Sequence, residues 1–445
     1  MNGRKTVLLV GTCDTKGDEI DFMRDIIESE NVACMVMDIG LMKDPMIKPD
    51  ITRQEVAAAS GHTLEDLIEQ ALSGRYEASA EELAIGAGRF MAEELVPNGT
   101  IDGVIAIGGS MGTAITLKAL RSLPIGFPKT LISTVALSDY VHPVFVQSDI
   151  MLVQPISDFC SLNDWSKRDL QRAAVSMASI VSREKPLENG PWIGITCTGW
   201  THYVPRIKEQ LEKTGYKVSV SHSVSMQGSI MEQLIRQGVI KGFLDLCPFE
   251  LPHEVAGGSC NSRQRMQAAS EMGIPQIVSP GMWGLFTMPT ADMERWAAEG
   301  RFTVPHNEIL GTAKMTIEEM IESSKLMAAR LNKSEGPVAV VVPAQGFHHY
   351  DRPDKMYDNP EGRKVFMEIM RSHLKPGIEL HILDCHINDA EYTEKVMELA
   401  LRFFGGISRE GMGKIVNLTP FRAQSERAEE VQELPSEKRA ARASR

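Results

Sequence analysis

The stretch "IDGVIAIGGSMGTAITLKALRSL", residues 101–123, decides the fold. It opens as a short apolar run and continues with helical spacing, and Gly108, Gly109 and Gly112 stand where one pattern hands over to the other. A strand that feeds a helix through a glycine turn is the repeating unit of a parallel sheet covered by helices. Such a turn also suits phosphate. The first helical turn leaves backbone N–H groups unpaired, the helix dipole favours negative charge there, and glycine removes the side chain that would hold an anion away. The same glycines serve equally well in a tight connection that binds nothing.

Outward from that unit the pattern repeats almost throughout. Apolar runs alternate with helical segments at "KTVLLV", "VACMVMDI", "GVIAIG", "KTLIST", "WIGITC", "KVSVSH", "KGFLDL", "PQIVSP", "PVAVVVP" and "IELHILD". These are too many strands for one tidy sheet, and 445 residues exceed one ordinary core, so the chain is expected to form two α/β lobes, each a mostly parallel sheet flanked by helices. A Lys-Pro and an Asn-Gly-Pro break follow a long helical segment and place the boundary near residues 184–191. The expected units are 1–188, 189–425 and a charged tail over 426–445, with the helix-rich residues 41–90 as an addition to the first lobe. "VLLVGTCDTKGDEIDFMRDIIES" and "WIGITCTGWTHYVPRIKEQLEKTG" run alike, so the second half reads as a shortened copy of the first.

Bulk properties narrow the function classes. A net charge of −12 argues against a nucleic-acid-binding surface. The seven cysteines form no CxxC pair and read as thiols of a reducing compartment. No run approaches the roughly 20 apolar residues of a membrane span, so a cytoplasmic protein without membrane contact is expected.

A second turn, "VGTCDTKG", offers Asp14, Thr15 and Lys16 within one loop. It is not a Walker A loop, because the lysine precedes the glycine, and Asp38 lies too far on for the dinucleotide fingerprint. On chemistry alone Lys16 is as well read as a surface lysine. The motifs "VGTCDTKGDEIDFM", "GVIAIGGSMGT", "RSLPIGFPKTLISTVA" and "SDIMLVQPISDFCSLN", continued by "HEVAGG", "GIPQIVSPG", "PHNEI" and "LDCHIND", resemble the tomato mosaic virus resistance protein-like ATP-binding family and its bacterial relatives. The resemblance implies two Rossmann-like lobes, a homodimer, and ATP with Mg²⁺ bound by the first lobe. Carried over by position, the nucleotide contacts fall on Asp14, Thr15, Lys16, Gly108, Gly109, Ser110, Met111, Gly112 and Thr113. Asp158 and Asn163 match a recurring motif with no assigned role, and Ser161 stands where a glycine is usual.

The second lobe departs from the family pattern at "CPFELPHEVAGG" and "SPGMWGLFTM", near strand ends, where an open α/β sheet places ligands. The phosphate turn is expected to be lost there, since Pro248 and Pro252 supply no N–H and Phe249 is bulky. In its place come His253, Glu254, Gly257, Gly258, Arg265, His306, Asn307, His348, His349, Asp384, His386, Asn388 and Asp389. From these a small anionic or polyhydroxylated substrate is expected to meet Arg265 and His386, with Glu254 or His386 as acid or base. "DCHIND" could supply metal ligands or simply cap the helix that follows. Cys197 reads as a nucleophile near a helix start or as a buried structural thiol. Two function classes follow: an enzyme that uses ATP and Mg²⁺ to activate or phosphorylate a small metabolite between the lobes, and a nucleotide-binding regulatory module.

Overall fold

The computed structural model describes residues 3–185, 187–199, 201–224, 226–259 and 265–407; the tail expected at 426–445, and Cys260, lie outside the described residues. The first lobe holds β1 (Thr6–Gly11), β2 (Ala33–Asp38), β3 (Gly103–Gly108), β4 (Lys129–Ser133) and β5 (Met151–Val153), all parallel, in the order β2-β1-β3-β4-β5. Its central strands are apolar on both sides because helices cover both sides. Leu8, Val10, Val104 and Ala106 face a core built with the helices between residues 53 and 120. Val7, Leu9, Ile105 and Ile107 alternate to the opposite face, where helices Gly17–Ser29 and Asp164–Arg183 pack together. Residues 41–90 supply three helices, Arg53–Ser60, Leu64–Leu72 and Tyr76–Arg89, in the connection from β2 to β3.

The second lobe contains β6 (Trp192–Cys197), β7 (Lys217–His222), β8 (Ile240–Asp245), β9 (Gln276–Val278), β10 (Leu285–Pro289), β11 (Thr303–Pro305), β12 (Leu310–Lys314), β13 (Val338–Pro343) and β14 (Glu379–Leu383). Six of them form a parallel sheet in the order β14-β13-β9-β8-β6-β7, and β10-β12-β11 form a small antiparallel sheet beside it. Every strand anticipated from the apolar runs lies in one of the two parallel sheets. The three-residue β5 and the whole antiparallel sheet were not anticipated, since strands of three to five residues span only one or two repeats of the alternation.

Read from β7, the second sheet repeats the strand order of the first and then continues by one strand, β14. The second half is therefore not a shortened copy. It lacks the three-helix connection but adds β14 and the antiparallel sheet. Between the lobes, Gln233 Nε2 donates to the Gln147 carbonyl (2.6 Å) and Met226 packs against the first lobe's core. Among the described residues no helix is long and apolar enough to cross a membrane.

Candidate functional site

β1 and β3 are neighbours in the first sheet although β2 lies between them in the chain, so the strand order reverses there. In an open parallel sheet the crevice outside the carboxyl ends at such a reversal is the natural ligand position. The two turns singled out in the sequence, 12–16 after β1 and 109–112 after β3, flank this crevice. Helix Ser110–Leu120 has Gly109 at its N-cap, so no side chain caps its first-turn amides, whereas the nearby helix Asp164–Arg183 is capped by Asn163.

The glycines of the turn divide into two kinds. A Cβ on Gly108 would lie 2.7 Å from backbone atoms of Gly112 and Thr113, so packing of strand end on helix requires glycine there. A Cβ on Gly112 would meet only the Ile107 carbonyl at 3.6 Å, and one on Gly109 only Thr134 Oγ1 at 3.9 Å. Neither has a positive φ. Nothing inside the protein demands glycine at 109 or 112. Gly112 is buried against the end of β3, whereas the half-buried Gly109 leaves room beside the uncapped amides of the helix start, where an anionic oxygen could approach.

Not every residue expected at this turn faces the crevice. Thr113 is buried and its hydroxyl hydrogen-bonds Ser133 Oγ (2.6 Å), tying the helix to β4. Lys16 Nζ donates to the Phe159 carbonyl, and the Thr15 and Thr12 hydroxyls pair with each other (2.8 Å). Ser110 and Met111 are exposed at the helix start. Phe159 belongs to the segment between β5 and helix Asp164–Arg183, which must return from the edge of the sheet across the strand ends to reach helix Gly17–Ser29. That return explains two unassigned residues. Asn163 forms a capping box with Ser166, and Asp158 Oδ1 accepts the Phe159 N–H (2.7 Å), shaping the turn that receives Lys16.

Beside the crevice two carboxylates share a corner. Asp38, fully buried at the end of β2, accepts the Cys13 and Gly40 N–H groups through Oδ1 (3.0 and 2.8 Å), while Oδ2 is buried without a hydrogen-bond partner. Asp14 Oδ2 accepts from Lys43 N (3.2 Å). A Cβ on Gly40 would fall 2.9 Å from Asp14 Oδ1 and 3.0 Å from Asp38 Oδ1, so glycine lets the two acids approach. Burial, and secondarily the charge of Asp14, push the Asp38 carboxyl above its usual range against the two N–H bonds. A hard cation at this corner would relieve that cost.

The second lobe corrects the expected substrate contacts. Arg265 is fully buried: Nη1 meets Glu232 Oε1 (2.7 Å), Nη2 meets Asp245 Oδ1 (2.8 Å), and Nε lies 3.0 Å from Glu250 Oε1. Burial opposes its charge, but the three carboxylates more than offset that and raise its pKa. The guanidinium is committed to the interior and cannot reach a substrate. Glu250, in close ionic contact but in poor hydrogen-bond geometry, is pushed up to about 7 by burial first and then by Asp245. Arg330 Nη2 donates to both carboxylate oxygens of Glu254 (2.9 Å each) at the helix end that leads toward the start of β13. His386 instead follows the other end of the sheet, after β14. Its Nδ1 faces the Arg352 Nη2 donor (2.8 Å) and the Asn388 N–H (3.1 Å), which leaves Nε2 to donate to the His348 carbonyl (3.0 Å). With both ring nitrogens engaged and burial depressing its pKa, His386 is a neutral imidazole whose single ring proton is committed to the His348 carbonyl, so it is not free to act as acid or base in this arrangement. Glu254, Arg265 and His386 thus serve three separate interactions and form no common cleft.

His253 is also buried and neutral, pushed down to about 3 by burial, with Nε2 against the Thr287 amide (3.3 Å). Gly257 ends its helix at φ 83°, and a Cβ on Gly258 would strike His253 Nδ1 at 2.3 Å, so this glycine pair is structural. Burial raises the Cys197 thiol, the opposite of nucleophile activation. In "DCHIND" Asp384 accepts from Gln345 Nε2 (2.5 Å) and Asp389 accepts the His386 N–H (2.8 Å). Among the described residues no group of three or more His, Cys, Asp or Glu is placed to hold a metal ion.

Residues 5–186 match the N-terminal domain, and residues 190–404 the C-terminal domain, of the Uncharacterised protein family UPF0261. A UPF0261 protein of Clostridium tetani is 33% identical over 394 residues, covering 87% of this chain and 96% of the relative. A UPF0261 protein of Brucella suis is 30% identical over 397 residues, covering 88% and 94%. The tomato ToMV resistance protein Tm-1(GCR237) is 30% identical over 426 residues, covering 88% of this chain and 55% of that protein.

Proposed function

The chain belongs to the UPF0261 family, and we propose that its first lobe binds ATP with Mg²⁺ at the β1–β3 crevice to activate or phosphorylate a small anionic or polyhydroxylated metabolite. The observation that carries this reading is Gly109, required by neither packing nor backbone conformation, at the uncapped start of helix Ser110–Leu120. Those amides would receive phosphate oxygens. Asp14 and Asp38 fit the metal, because Mg²⁺ is usually held by one or two carboxylates together with substrate phosphates and water. Bound Mg²⁺ would neutralise phosphate charge. The chain's own part is to orient the phosphates on the amides and to hold the loop over the crevice through Lys16 and Phe159. The same reading places the protein in the cytoplasm as a homodimer, and the exposed Leu137, Tyr140 and Phe145 of the first lobe offer apolar surface for self-association.

Calorimetric titration of ATP with Mg²⁺ tests the site. Gly109→Val is expected to weaken binding by about tenfold or more, equivalent to about 1.4 kcal/mol or more, with little change in melting temperature. Unchanged affinity would overturn the assignment. ATP consumption across a panel of phosphorylatable and carboxylated metabolites then separates an enzyme from a regulatory module, which would bind ATP without turnover.

A further inference from the structure

The glycine turn after β3 has unlike neighbours on its two sides, and the sheet order β2-β1-β3-β4-β5 says which. On the β1 side stand the Asp14 and Asp38 carboxylates. On the other side the loop after β4 passes directly beside the turn: the Thr134 N–H donates to the Gly108 carbonyl (3.3 Å), and Thr134 Oγ1 lies 3.9 Å from a Cβ placed on Gly109. This loop is rooted in the helix that follows the turn, because Ser133 Oγ pairs with Thr113 Oγ1 (2.6 Å) and accepts the Val135 N–H (3.1 Å). It then winds tightly, with the Ala136 N–H on the Ser133 carbonyl and the Ser138 N–H on the Val135 carbonyl. Leu137 therefore stands about one helical turn, roughly 5 Å, beyond Thr134.

Leu137 is 83% exposed and Ile156 62%, and one side chain joins their loops. Gln154 accepts the Leu137 N–H through Oε1 (3.2 Å) and donates through Nε2 to the Thr134 carbonyl (3.3 Å), which ties the segment leaving β5 to the loop leaving β4. Two large apolar side chains thus stay in water on loops that are held in place, next to a helix start with no side-chain cap. A single exposed leucine is ordinary, but a fixed apolar pair at the mouth of a strand-end crevice has the make-up of a ligand wall. The loop after β2 also exposes apolar residues, Met42 and Met46, but it sits over the acids: the Met42 and Lys43 N–H groups face Asp14 Oδ2 (3.4 and 3.2 Å). Charge therefore distinguishes the two sides.

A nucleoside triphosphate has the same asymmetry, with metal at its terminal phosphates and an aromatic base at the other end. The acidic β1 side matches the metal-bearing end, and the apolar β4 side matches the base. Resting on the reading that the first lobe binds ATP with Mg²⁺, we propose that Leu137 and Ile156 form a shelf for the nucleotide base. The ligand then lies across the strand ends, with its base over β4 and its terminal phosphate over β1. Tyr140 and Phe145, farther along the chain from Thr134, stay available for self-association.

Calorimetric titration of the full chain with two probes, ATP and inorganic tripolyphosphate, each with Mg²⁺, separates the shelf from the phosphate cradle, since tripolyphosphate has no base. The unaltered protein should prefer ATP by about fivefold or more. Leu137→Ser and Ile156→Ser should each lower ATP affinity several-fold and leave tripolyphosphate affinity and melting temperature unchanged, because both side chains are exposed. Gly109→Val should weaken both probes. Photolabelling with 8-azido-ATP, read by peptide mass spectrometry, should mark peptides that carry Leu137 or Ile156. The shelf is overturned by equal affinity for the two probes, by ATP affinity unchanged in both serine variants, by an equal loss for tripolyphosphate in them, or by labelling confined to residues 41–50. A smaller assembly of Leu137→Ser on a sizing column, with ATP affinity unchanged, gives that residue to self-association and also overturns it. If neither probe binds, the nucleotide reading falls and the shelf with it. Tripolyphosphate binding that Gly109→Val weakens, without any advantage for ATP, keeps the phosphate cradle and removes only the shelf.

Discussion

The two lobes share a strand order and differ in what they place at the point where it reverses. In the first, β3 runs into Gly108 and Gly109 and an uncapped helix. In the second, β8 runs into Asp245, which is buried against Arg265, and then into Cys247, Pro248 and Phe249. One lobe leaves backbone amides uncovered where the other fills the equivalent space with an ion cluster. A strand order thus creates a crevice, while the side chains at its mouth decide whether a ligand or the protein's own charges occupy it.

Breaking the cluster should produce the largest effect. Arg265→Leu would strand the carboxylates of Glu232, Asp245 and Glu250 in the interior, and a loss of about 3–5 kcal/mol is expected, confined to the second lobe. Chemical denaturation followed by first-lobe and second-lobe probes should show only the latter transition shifted. A single shared shift would mean that the lobes unfold as one unit.

The glycine turn sharpens the comparison on the other side. Gly108→Ala forces a Cβ to within 2.7 Å of backbone and should cost the first lobe about 1–3 kcal/mol. Gly112→Ala meets only ordinary contact at 3.6 Å and sits inside a helix, so it should leave stability equal or slightly higher, by up to about 1 kcal/mol, while ATP affinity falls. Thermal melts of the two variants side by side check the difference. Equal destabilisation would remove the argument that Gly112 is kept for a ligand.

Glu250 gives the second lobe a pH signature that the first-lobe turn does not share. Its carboxyl titrates near 4.5 when free and is pushed up to about 7 in the fold, so folding takes up a proton between those values. Its contribution to stability is complete below pH 4.5 and is lost as pH rises through about 7. Glu250→Gln should flatten the decline in second-lobe stability across that window, measured by denaturant midpoints at pH 5 and pH 7.5. A small effect is also expected at the first-lobe cap. Asn163→Ala removes two N-cap hydrogen bonds and should cost about 1 kcal/mol, seen as a small drop in melting temperature.

Much of the fold was legible in the apolar runs. "VLLVG", "VIAIG" and "VAVVVP" are continuous apolar strands because both sheet faces are covered, and every such run became a parallel strand. The antiparallel sheet was missed because "TVP" and "LGTAK" are short and half-exposed, and the apolar "LFTMP" has no partner strand legible beside it. At the first-lobe site, the turn after β3 could be located but Gly108 could not be told from Gly112, since only the neighbouring backbone shows which glycine has room. The Asp14–Asp38 corner was half visible: both residues attracted notice, and their approach depends on Gly40.

The sequence by itself determined two parallel α/β units and the glycine-bearing strand-to-helix turn, because hydrophobic period and backbone freedom are local properties that propagate along the chain. Tertiary structure decided what the polar residues do. Arg265 is a buried structural cation because Glu232, Asp245 and Glu250 converge on it. Lys16 serves a carbonyl 143 residues away, and His386 has its tautomer fixed by the Arg352 donor at Nδ1 and the His348 carbonyl at Nε2. A side chain's charge is set by its burial and by partners the fold brings from distant positions, and neither quantity is written in its local sequence.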